Sequence, residues 1–447
     1  MSMATFHFSM CTSDFIYNQL FQKIYQQANK MSRLDLVIFG ATGFTGKHAV
    51  QEQCRISKEY PGMTWGVAGR NQSKLEEMLK EISKKTDEDL SSVKIIIADV
   101  QDEKSLKEMC SQAKVLVNCC GPYRHYGEPV VKAAIDSKTH YVDVSGEPQF
   151  METMQLVYDQ AARDAGVYVV SACGFDSIPN DMGVIYLQQN FGGTLNSVES
   201  YVSTRAPLEE RRGLANLGTW ESLVYGIANY NELPALRKKL YPERLPTFKP
   251  KLKPRGVIHA RDAGWCVPFP GADASVVYRT QRALYEREHR RPAQCRAYVR
   301  LPALLHAVAL VAVAALLYVL ARLRPTRALL LKYPGLFTMG IFTKEPSEAA
   351  INATTFQFDL FGEGWEAGTD VEAVPPNKKM TVRVSGSNPG YGATVVALLY
   401  SAIMLLKESD KIPTYGVLTP GLAFRGTGLL RRLAAAGLRF EVLPAHE

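Results

Sequence analysis

The sequence lacks the residue spacings that mark several common enzyme and binding classes. No Tyr-x-x-x-Lys occurs among its 447 residues, which argues against the mechanism of a short-chain dehydrogenase. No Cys-x-x-Cys occurs, and the eight histidines are scattered and never four residues apart beside a Glu, so we expect no metal centre. The net charge of +8 is moderate, and no basic stripe alternates with aromatic residues. This argues against a nucleic-acid-binding protein.

Cysteine pairs and targeting signals are also missing. The cysteines show no framework spacing, which is typical of reduced, mostly buried thiols in a protein whose folded part faces the cytosol. They are Cys11, Cys54, Cys110, Cys119, Cys120, Cys173, Cys266 and Cys295. The first thirty residues contain no Arg and only Lys23 and Lys30 as basic residues, so neither a secretory signal nor a mitochondrial presequence is expected. We expect Met1 to Lys30 to be a dispensable extension.

What is present begins with an apolar run that ends in three glycines. Residues 34–46 read LDLVIFGATGFTG and are followed by a stretch compatible with a helix. Each glycine lets the backbone pass where a Cβ would collide with the turn, a pyrophosphate or the packed helix, and the helix start offers N–H groups to phosphate. The spacing G-x-x-G-x-x-G departs from the usual G-x-G-x-x-G, and the alternative is a glycine-rich turn with an empty site. We predict a dinucleotide site formed by Gly40, Thr42, Gly43, Phe44, Thr45 and Gly46.

The end of the next strand-like run indicates which dinucleotide is bound. Thr64 to Ala68 is followed by Gly69 and Arg70, and no carboxylate stands there. A NAD enzyme usually has Asp or Glu at this point, whereas an Arg can hold a 2′-phosphate. Arg70, with Lys74, therefore favours NADP(H) over NAD(H); the alternative is an exposed Arg without a ligand. Asp99, after the third run, either lies on the adenine side of the pocket or caps the next helix.

Strand-like runs alternate with helical patterns along the chain. Those at 93–98, 115–119, 141–144 and 167–172 predict a Rossmann-type doubly wound parallel sheet in an α/β protein. Later runs at 197–204, 276–278, 354–361 and 380–384 predict an inserted α+β domain for substrate binding or homodimer formation. We expect a dinucleotide-binding domain at 31–183, the insertion at 184–384 and a return of 385–447 to the first domain. Residues 245–254 are expected to form an exposed connection.

One segment is apolar enough to associate with a membrane. Leu301 to Ala321 is 21 residues without formal charge, long enough for a bilayer core of roughly 30 Å. Arginines stand at both ends, which argues against a single span and favours a segment that enters and leaves on one side. With the second apolar run, Ala328 to Phe342, it predicts a hairpin or two shallow helices within residues 301–342. The alternative is a buried core helix. The arginines are Arg290, Arg291, Arg296, Arg300, Arg322, Arg324 and Arg327.

Together these motifs resemble the saccharopine dehydrogenase family, from Ser32 to the C-terminus. The resemblance is carried by FGATGFTG (39–46), AGR (68–70), NCCGPYRHYGEPVVKA (118–133), YVDVSGE (141–147), CGFDSIPNDMG (173–183), GYGAT (390–394) and GVLTPGLAF (416–424). It implies the fold of the saccharopine reductases and of mycobacterial enzymes that reduce enoyl groups in glycolipid precursors. Because vertebrate members are associated with lipid droplets, it also implies a lipid droplet or the cytosolic face of a membrane as the location.

Catalytic candidates follow from topology, since ligands bind beyond the carboxyl ends of parallel strands. A hydride transfer needs a proton donor, and Tyr123, His125 and Tyr126 are the candidates, while Arg124 could hold a carboxylate or a thioester oxygen. The alternative is a structural role, in which Pro122 and Tyr123 fix the nicotinamide-side loop. Asp143, Glu147 and Asp176 would then bind backbone N–H groups.

Two functional classes follow from these observations. The first is an NADP(H)-dependent oxidoreductase acting on a hydrophobic or lipid-linked substrate at a lipid surface. The second is a lipid-droplet-associated nucleotide-binding protein with little or no turnover. The titratable side chains that remain in the polar loops favour an enzyme, and the apolar segment makes reduction of saccharopine, a charged and soluble substrate, the less favoured chemistry.

Overall fold

The computed structural model describes residues 33–207 and 213–444, so the extension Met1 to Lys30 lies outside the described residues. The elements up to residue 205 are β1 (Leu34–Phe39), α1 (Phe44–Glu59), β2 (Trp65–Gly69), α2 (Gln72–Thr86), β3 (Lys94–Ile97), α3 (Glu103–Ser111), β4 (Ala113–Asn118), α4 (Tyr123–Asp136), β5 (His140–Asp143), α5 (Pro148–Ala165), β6 (Tyr168–Val170), α6 (Ile178–Asn190) and β7 (Gly193–Arg205). The middle of the chain contains β8 (Ala215–Asn216), α7 (Leu217–Ala228), α8 (Leu233–Leu240), β9 (His259–Arg261), β10 (Gly264–Pro268), α9 (Asp273–Glu288), β11 (Gln294–Leu301), α10 (Leu304–Arg322), α11 (Arg324–Lys332), α12 (Pro334–Thr338) and β12 (Phe342–Thr343). Then follow α13 (Glu348–Ala353), β13 (Thr355–Glu366), β14 (Lys378–Ser387), α14 (Thr394–Lys407), β15 (Gly416–Leu418), α15 (Pro420–Phe424), α16 (Leu429–Ala435) and β16 (Arg439–Leu443).

The first sheet is parallel throughout, with strand order β15-β6-β5-β4-β1-β2-β3. Its central strands are covered on both faces, and the side chains of Leu36 to Phe39 are buried in succession. A strand buried on both faces needs a continuous apolar run instead of an alternating one, which is what the sequence of β1 provides. The Rossmann-type doubly wound sheet is therefore confirmed.

The second sheet has the order β16-β14-β13-β7-β11-β10-β9 and is antiparallel except between β7 and β11. Helix α6 packs on it so closely that a Cβ added to Gly183 would lie 3.1 Å from Leu360 and 3.2 Å from Val384. These two residues belong to one hydrophobic core that also contains Leu36 and Ile38 of the first sheet. The two sheets therefore share a core.

Two predicted domain boundaries lie inside elements of the structure, and one predicted strand is wrong. The predicted domain boundary at Gly183 falls inside α6, and the boundary at Val384 falls inside β14. The run Val276 to Tyr278, which we predicted as a strand, lies in α9. A run of three β-branched and aromatic residues is too short to distinguish a strand from a helix. The longer pattern decides, because the buried positions of α9, among them Val277, Gln281 and Leu284, recur at helical spacing.

The tail of the chain contributes to both sheets. β15 pairs in parallel with β6 of the first sheet. We expected the chain up to Leu443 to pack on that sheet as well, but β16 pairs with β14 of the second sheet instead. β16 has five residues against ten in β14, so the sheet ends in a short edge strand that exposes fewer unpaired backbone groups.

Helices α10, α11 and α12 form a layer beside α7, which we call the apolar layer. Its small core contains Trp220, Val224, Ala321 and Leu330, and the Trp220 indole donates a hydrogen bond to the Leu330 carbonyl at 2.9 Å. Two helical segments among the described residues are long and apolar enough to cross a membrane. Only 11% of the Leu304–Arg322 segment is buried, whereas 72% of the Pro389–Lys407 segment is buried. The second is thus a core helix, and α10 is not.

Candidate active site

The glycine loop, residues 40–46, joins β1 to α1 as the sequence predicts. Gly40 has a φ of +77°, which disfavours any side chain, and a Cβ on Gly46 would lie 2.2 Å from the Gly40 carbonyl oxygen. Gly43 caps α1 without a side-chain hydrogen bond, so no side chain covers the N–H groups of the first turn. A helix start in this state is suited to bind a phosphate group.

Arg70, Lys74 and Asp99 lie beyond the ends of β2 and β3. Burial is the main cause that raises the pKa of the Cys120 thiol to about 11. The charge of Arg70 lowers this pKa, and the charge of Asp99 raises it. Cys120 also lies next to the glycine loop, since its Sγ would be 3.2 Å from a Cβ on Gly40. The Ala98 amide donates to the Gly69 carbonyl at 3.0 Å, so the strand ends that carry Arg70 and Asp99 lie side by side. Asp102, not Asp99, caps α3 by accepting a hydrogen bond from the Lys104 amide at 3.0 Å, so the capping alternative for Asp99 is wrong.

A large cavity of about 2020 Å³ begins at the glycine loop, where Gly43, Phe44 and Thr45 line it. Two loops at the carboxyl ends of β4 and β5, residues 119–123 and 144–147, form the adjoining wall, and we call them the cavity loops. One face of α7 lines the cavity while Trp220 and Val224 on the same helix pack against the apolar layer. The space exceeds that of an ordinary ligand pocket, about 300–1,000 Å³.

The lining of the cavity also contains aromatic side chains, one of which belongs to the apolar layer. Tyr241, Phe248, Phe269 and Tyr278 line it, and so does Tyr318 of α10. Residues 245–254, which we predicted to be an exposed connection, supply part of this wall. Phe248 is held there by an edge-on contact with Tyr285, with ring centroids 5.5 Å apart. The same part of the lining also carries the charged side chains of Arg237, Lys238, Glu243, Arg244, Lys251 and Arg282. This wall therefore combines aromatic rings, which suit an apolar substrate chain, with positive charge.

The three sequence-derived proton donors differ in position. The Tyr123 hydroxyl donates to the Asn118 carbonyl at 2.9 Å and accepts from the Val144 amide at 3.3 Å, and burial holds its pKa well above the ordinary value. It therefore joins the two cavity loops, as the structural alternative states. His125 and Tyr126 are exposed and do not line the cavity. This geometry does not favour either of them as the donor.

Arg124 and Pro122 also have structural contacts. Arg124 forms an ion pair with Glu232 at 2.7 Å, so its guanidinium is already neutralised. Pro122 stands directly before α4, at its N-cap position.

Asp143 and Glu147 bind backbone N–H groups. Buried Asp143 accepts from the amides of Ser145 at 2.9 Å and Ala172 at 3.0 Å. Burial raises the pKa of Asp143 to about 6 although these bonds oppose the shift. Glu147 accepts from the amides of Tyr123 and Arg124, both at 2.9 Å, and thereby caps α4 from a different loop.

Asp176 differs from these two carboxylates. It accepts no hydrogen bond within the described part of the chain, so the prediction that it binds backbone N–H groups is wrong. It is exposed and lines the cavity, and the protein around its carboxyl group raises its pKa. Sequence reasoning missed its neighbour Asp273, whose surroundings, PFPGADASVV, contain no other titratable residue that would mark a site.

The comparisons with known proteins agree with this geometry. Residues 36–170 match the family model described as saccharopine dehydrogenase NADP binding domain. A human protein named saccharopine dehydrogenase-like oxidoreductase is 40% identical over 430 residues, which cover 94% of this chain and 100% of that protein. The chain belongs to the saccharopine dehydrogenase-like oxidoreductase family.

Two further matches extend the family relationship. A Caenorhabditis elegans family member named lipid droplet localized protein is 37% identical over 424 residues, covering 92% of this chain and 99% of that protein. The solved structure of apo saccharopine dehydrogenase (L-Glu forming) from Saccharomyces cerevisiae has a TM-score of 0.50 at 16% identity, with 92% of this chain and all of that chain covered. This structure supports the fold alone.

Family membership makes the chain an NAD(P)-dependent oxidoreductase, and its first domain binds NADP(H). The residues present fit that cofactor. The first turn of α1 is free of side-chain caps, and the end of β2 carries Arg70 in place of an acidic residue. Among the described residues no group of three or more His, Cys, Asp and Glu side chains could hold a metal ion.

Proposed function

We propose that this chain uses NADPH to reduce a hydrophobic or lipid-linked substrate at a lipid surface, on the cytosolic side. The observation that carries the proposal is the cavity, which runs from the glycine loop to Tyr318 of α10. The cofactor and a long apolar substrate would thus share one space, with the apolar layer at its far end. In this scheme Gly40, Thr42, Gly43, Phe44, Thr45, Gly46, Arg70, Lys74, Asp99 and Pro122 hold the cofactor.

The exposed side of α10 supports a lipid surface as the partner. Leu305 is 76% exposed, Leu316 55% and Val319 58%, and they follow one face of the helix. Leu336 and Met339 extend the apolar surface beyond α10. Soluble monomers rarely expose contiguous apolar patches larger than a few hundred Å². A monolayer or membrane would cover this surface, and the lipid-droplet name of the nematode relative points the same way.

The attachment of α10 supports an in-plane position. Ala307 near its start and Ala321 near its end are both buried against the body of the protein. Helix α11 begins directly after Leu323, and β12 then returns to pair with β8. A helix held along its length by a folded body would lie in the interface, with its outer face in the acyl region. Arg300 faces the protein and pairs with Asp359 instead of contacting a lipid headgroup.

Lipid association is tested by flotation with triacylglycerol droplets coated with a phospholipid monolayer. Leu305→Asp combined with Leu316→Asp should abolish flotation, because each Asp costs about 3 kcal/mol on the scale for membrane insertion. Leu156→Asp combined with Val157→Asp is the matched control, since both residues are also exposed on a helix, α5. If the first pair of substitutions leaves flotation unchanged, α10 does not contact lipid. If it converts a dimer into a monomer without affecting flotation, the apolar layer is a subunit interface.

Turnover is tested with NADPH that carries deuterium on the transferred position, incubated with a cellular lipid extract. Mass spectrometry should find the label in a lipid product, and Gly43→Asp, which should not bind cofactor, is the control. If the protein floats with the droplets and binds the cofactor but transfers no label, it is better described as a nucleotide-binding protein with little turnover. Turnover of saccharopine but of no lipid would contradict the proposal.

A further inference from the structure

One segment of the chain gives the cavity wall most of its positive charge. Residues 237–253, which we call the basic segment, begin in the last turn of α8 and include Phe248 of the aromatic lining. The one carboxylate of this segment is Glu243. A wall of this kind attracts anions. The cations of the segment that line the cavity are Arg237, Lys238, Arg244 and Lys251, and Arg282 of α9 lines it as well.

Two of these cations have a carboxylate partner within the protein. Arg237 pairs with the buried Glu152 of α5 at 2.7 Å, and two of its nitrogens donate to that carboxylate. Arg282 pairs with Glu286 at 2.6 Å. Both guanidinium groups are thus neutralised by the fold and leave no net charge for a ligand.

The other three cations of the wall have no such partner. The side chains of Lys238, Arg244 and Lys251 are exposed and form no ion pair or hydrogen bond within residues 33–207 and 213–444. The Glu243 carboxylate is also unpaired within these ranges. Three cations and one carboxylate therefore leave a net charge of +2 that the described part of the chain does not balance.

The backbone that carries Lys251 is fixed. Gln294 of β11 donates to the Pro250 carbonyl and accepts from the Leu252 amide, both at 2.9 Å. Asn196 of β7 donates to the same Pro250 carbonyl at 3.1 Å. Lys251 thus stands between two residues that are anchored to the second sheet, and its ammonium group reaches the cavity from a defined position.

The other two unpaired cations also follow anchored residues. The Arg282 guanidinium donates to the Glu243 carbonyl at 2.8 Å, and Arg244 comes next in the chain. Lys238 comes directly after Arg237, whose ion pair ties α8 to α5. Each unpaired cation therefore starts from a fixed backbone, which lowers the conformational entropy lost when it binds an anion.

Aromatic rings accompany the cations in the same wall. Tyr241 and Phe248 belong to the basic segment, and both line the cavity. Tyr278 of α9 contacts Tyr241 edge-on, with ring centroids 5.9 Å apart, and lines the cavity too. The wall therefore suits a ligand that combines an anionic group with an apolar chain.

The cofactor has other places for its anionic groups. In the scheme given above, its pyrophosphate faces the first turn of α1 and its 2′-phosphate lies at Arg70, which does not line the cavity. The net charge of the basic segment thus remains for a second anion. A phosphate monoester carries about −1.5 to −2 at neutral pH, which balances this charge better than the single charge of a carboxylate does.

We propose that the substrate of this oxidoreductase is an amphiphile that carries a phosphate monoester. The unpaired cations of the basic segment donate hydrogen bonds to the phosphate oxygens, and the apolar chain lies against the aromatic rings. The proposal rests on the proposed function, because it names the class of substrate for that reaction. Two sources offer this chemistry, a lipid whose head group is a phosphate and an acyl chain on a phosphate-bearing carrier.

The first test compares a phosphate ligand with its uncharged analogue. The probes are decanoylglycerol phosphate and monodecanoylglycerol, which share one acyl chain and are titrated into the NADP⁺-bound protein in a calorimeter. Lys238→Gln combined with Lys251→Gln should weaken binding of the phosphate by about 10-fold, because two charge pairs are lost, and leave binding of monodecanoylglycerol unchanged. Equal affinity of the parent for the two probes would overturn the proposal.

The basic segment itself offers a matched control. Lys239→Gln combined with Lys253→Gln removes the same charge from the same segment, but neither of these lysines lines the cavity. All four lysines are exposed, so neither pair of substitutions should disturb the fold. The control should bind decanoylglycerol phosphate as tightly as the parent. If both pairs weaken binding equally, the phosphate responds to overall charge and the proposal is wrong.

Two further titrations identify the source of the phosphate. Decanoyl-coenzyme A should bind more tightly than decanoylglycerol phosphate if the source is a carrier, and more weakly if it is a lipid. In both cases Lys238→Gln combined with Lys251→Gln should weaken binding. The affinity of this variant for NADPH should equal that of the parent, and a 10-fold loss would assign the cations to the cofactor and contradict the proposal.

These measurements do not depend on turnover. If decanoylglycerol phosphate binds as expected but no lipid acquires deuterium from NADPH, the proposed function fails and the phosphate site stands. If deuterium enters an uncharged lipid at the same rate in the parent and in Lys238→Gln combined with Lys251→Gln, the proposed function stands and the phosphate proposal is wrong.

Discussion

Glu147 connects three parts of the active site, and replacing it with glutamine should destabilise the protein. Its carboxylate accepts from the Tyr123 and Arg124 amides at the start of α4, and from the Ser222 hydroxyl on α7 at 2.9 Å. The side chain is 5% exposed, so water cannot replace these partners. One residue thus fixes the first cavity loop to the helix that separates the cavity from the apolar layer.

The magnitude follows from the bonds that glutamine cannot make. Its oxygen can still accept from Tyr123 and Ser222, but its amide nitrogen faces the N–H group of Arg124, so two donors meet. A hydrogen bond to a charged group contributes about 1.5–3 kcal/mol, and an unsatisfied buried donor costs about 1–3 kcal/mol. We expect Glu147→Gln to lower the free energy of unfolding by about 3 kcal/mol. Ser222→Ala, which removes one hydrogen bond to the same carboxylate and leaves no buried donor unpaired, should cost about 1.5 kcal/mol, the lower end of this range.

The measurement is urea unfolding followed by circular dichroism, with NADPH binding measured on the same samples. Glu76→Gln is the control, since Glu76 is half-buried on α2 and accepts one exposed hydrogen bond from Gln72. NADPH should bind more weakly to Glu147→Gln because the first cavity loop is no longer fixed. A change in unfolding free energy below about 0.5 kcal/mol, the scatter of ordinary surface substitutions, would refute this account.

Three further outcomes are expected. Arg70→Ala should weaken NADPH binding by about 1–3 kcal/mol and leave NADH binding nearly unchanged, since only NADPH carries the 2′-phosphate. Both affinities are measured by titration of cofactor fluorescence, and equal affinity of the parent for the two cofactors would contradict this prediction. Gly43→Asp should abolish binding of both cofactors, because a carboxylate at the start of α1 would face the pyrophosphate, and retained binding would mean that the glycine loop holds no phosphate. Burial raises the pKa of Asp181 to about 7, above the value of about 3.9 expected in the unfolded chain. The contribution of Asp181 protonation to stability is therefore complete below about pH 4 and is lost as pH rises to about 7. Asp181→Asn should therefore gain in Tm relative to the parent over this interval, and a difference in Tm that does not vary with pH would exclude this titration.

The parts of the site that depend on local sterics could be predicted from the sequence. A strand that turns directly into a helix around a phosphate leaves little room for side chains. Gly46 is required by the nearby Gly40 carbonyl, and Gly40 by its own φ of +77°. The absence of a carboxylate directly after β2 can also be read from adjacent residues alone. For this reason the fold and the preference for NADP(H) could both be inferred before any long-range contact was known.

The parts that depend on packing between distant segments could not be predicted. Asp181 and Thr280 meet because α9 packs beside α6, where the Thr280 hydroxyl donates to Asp181 at 2.8 Å, and no spacing in the sequence encodes this contact. His125 was proposed because it shares a loop with Tyr123. However, α4 begins at Tyr123, and a helix rotates by about 100° per residue, so His125 points to the opposite side.

The shared hydrophobic core means that the nucleotide-binding half is not a separable module. Leu36 and Ile38 of the first sheet belong to the same buried cluster as Leu360 and Val384 of the second, with α6 packed on the second sheet. A chain cut after Gly183 would divide α6 and leave this interior open to water. The protein should therefore lose both sheets in a single calorimetric transition. The apolar layer has a core separate from the one that joins the sheets, so its helices can shift without disturbing either sheet.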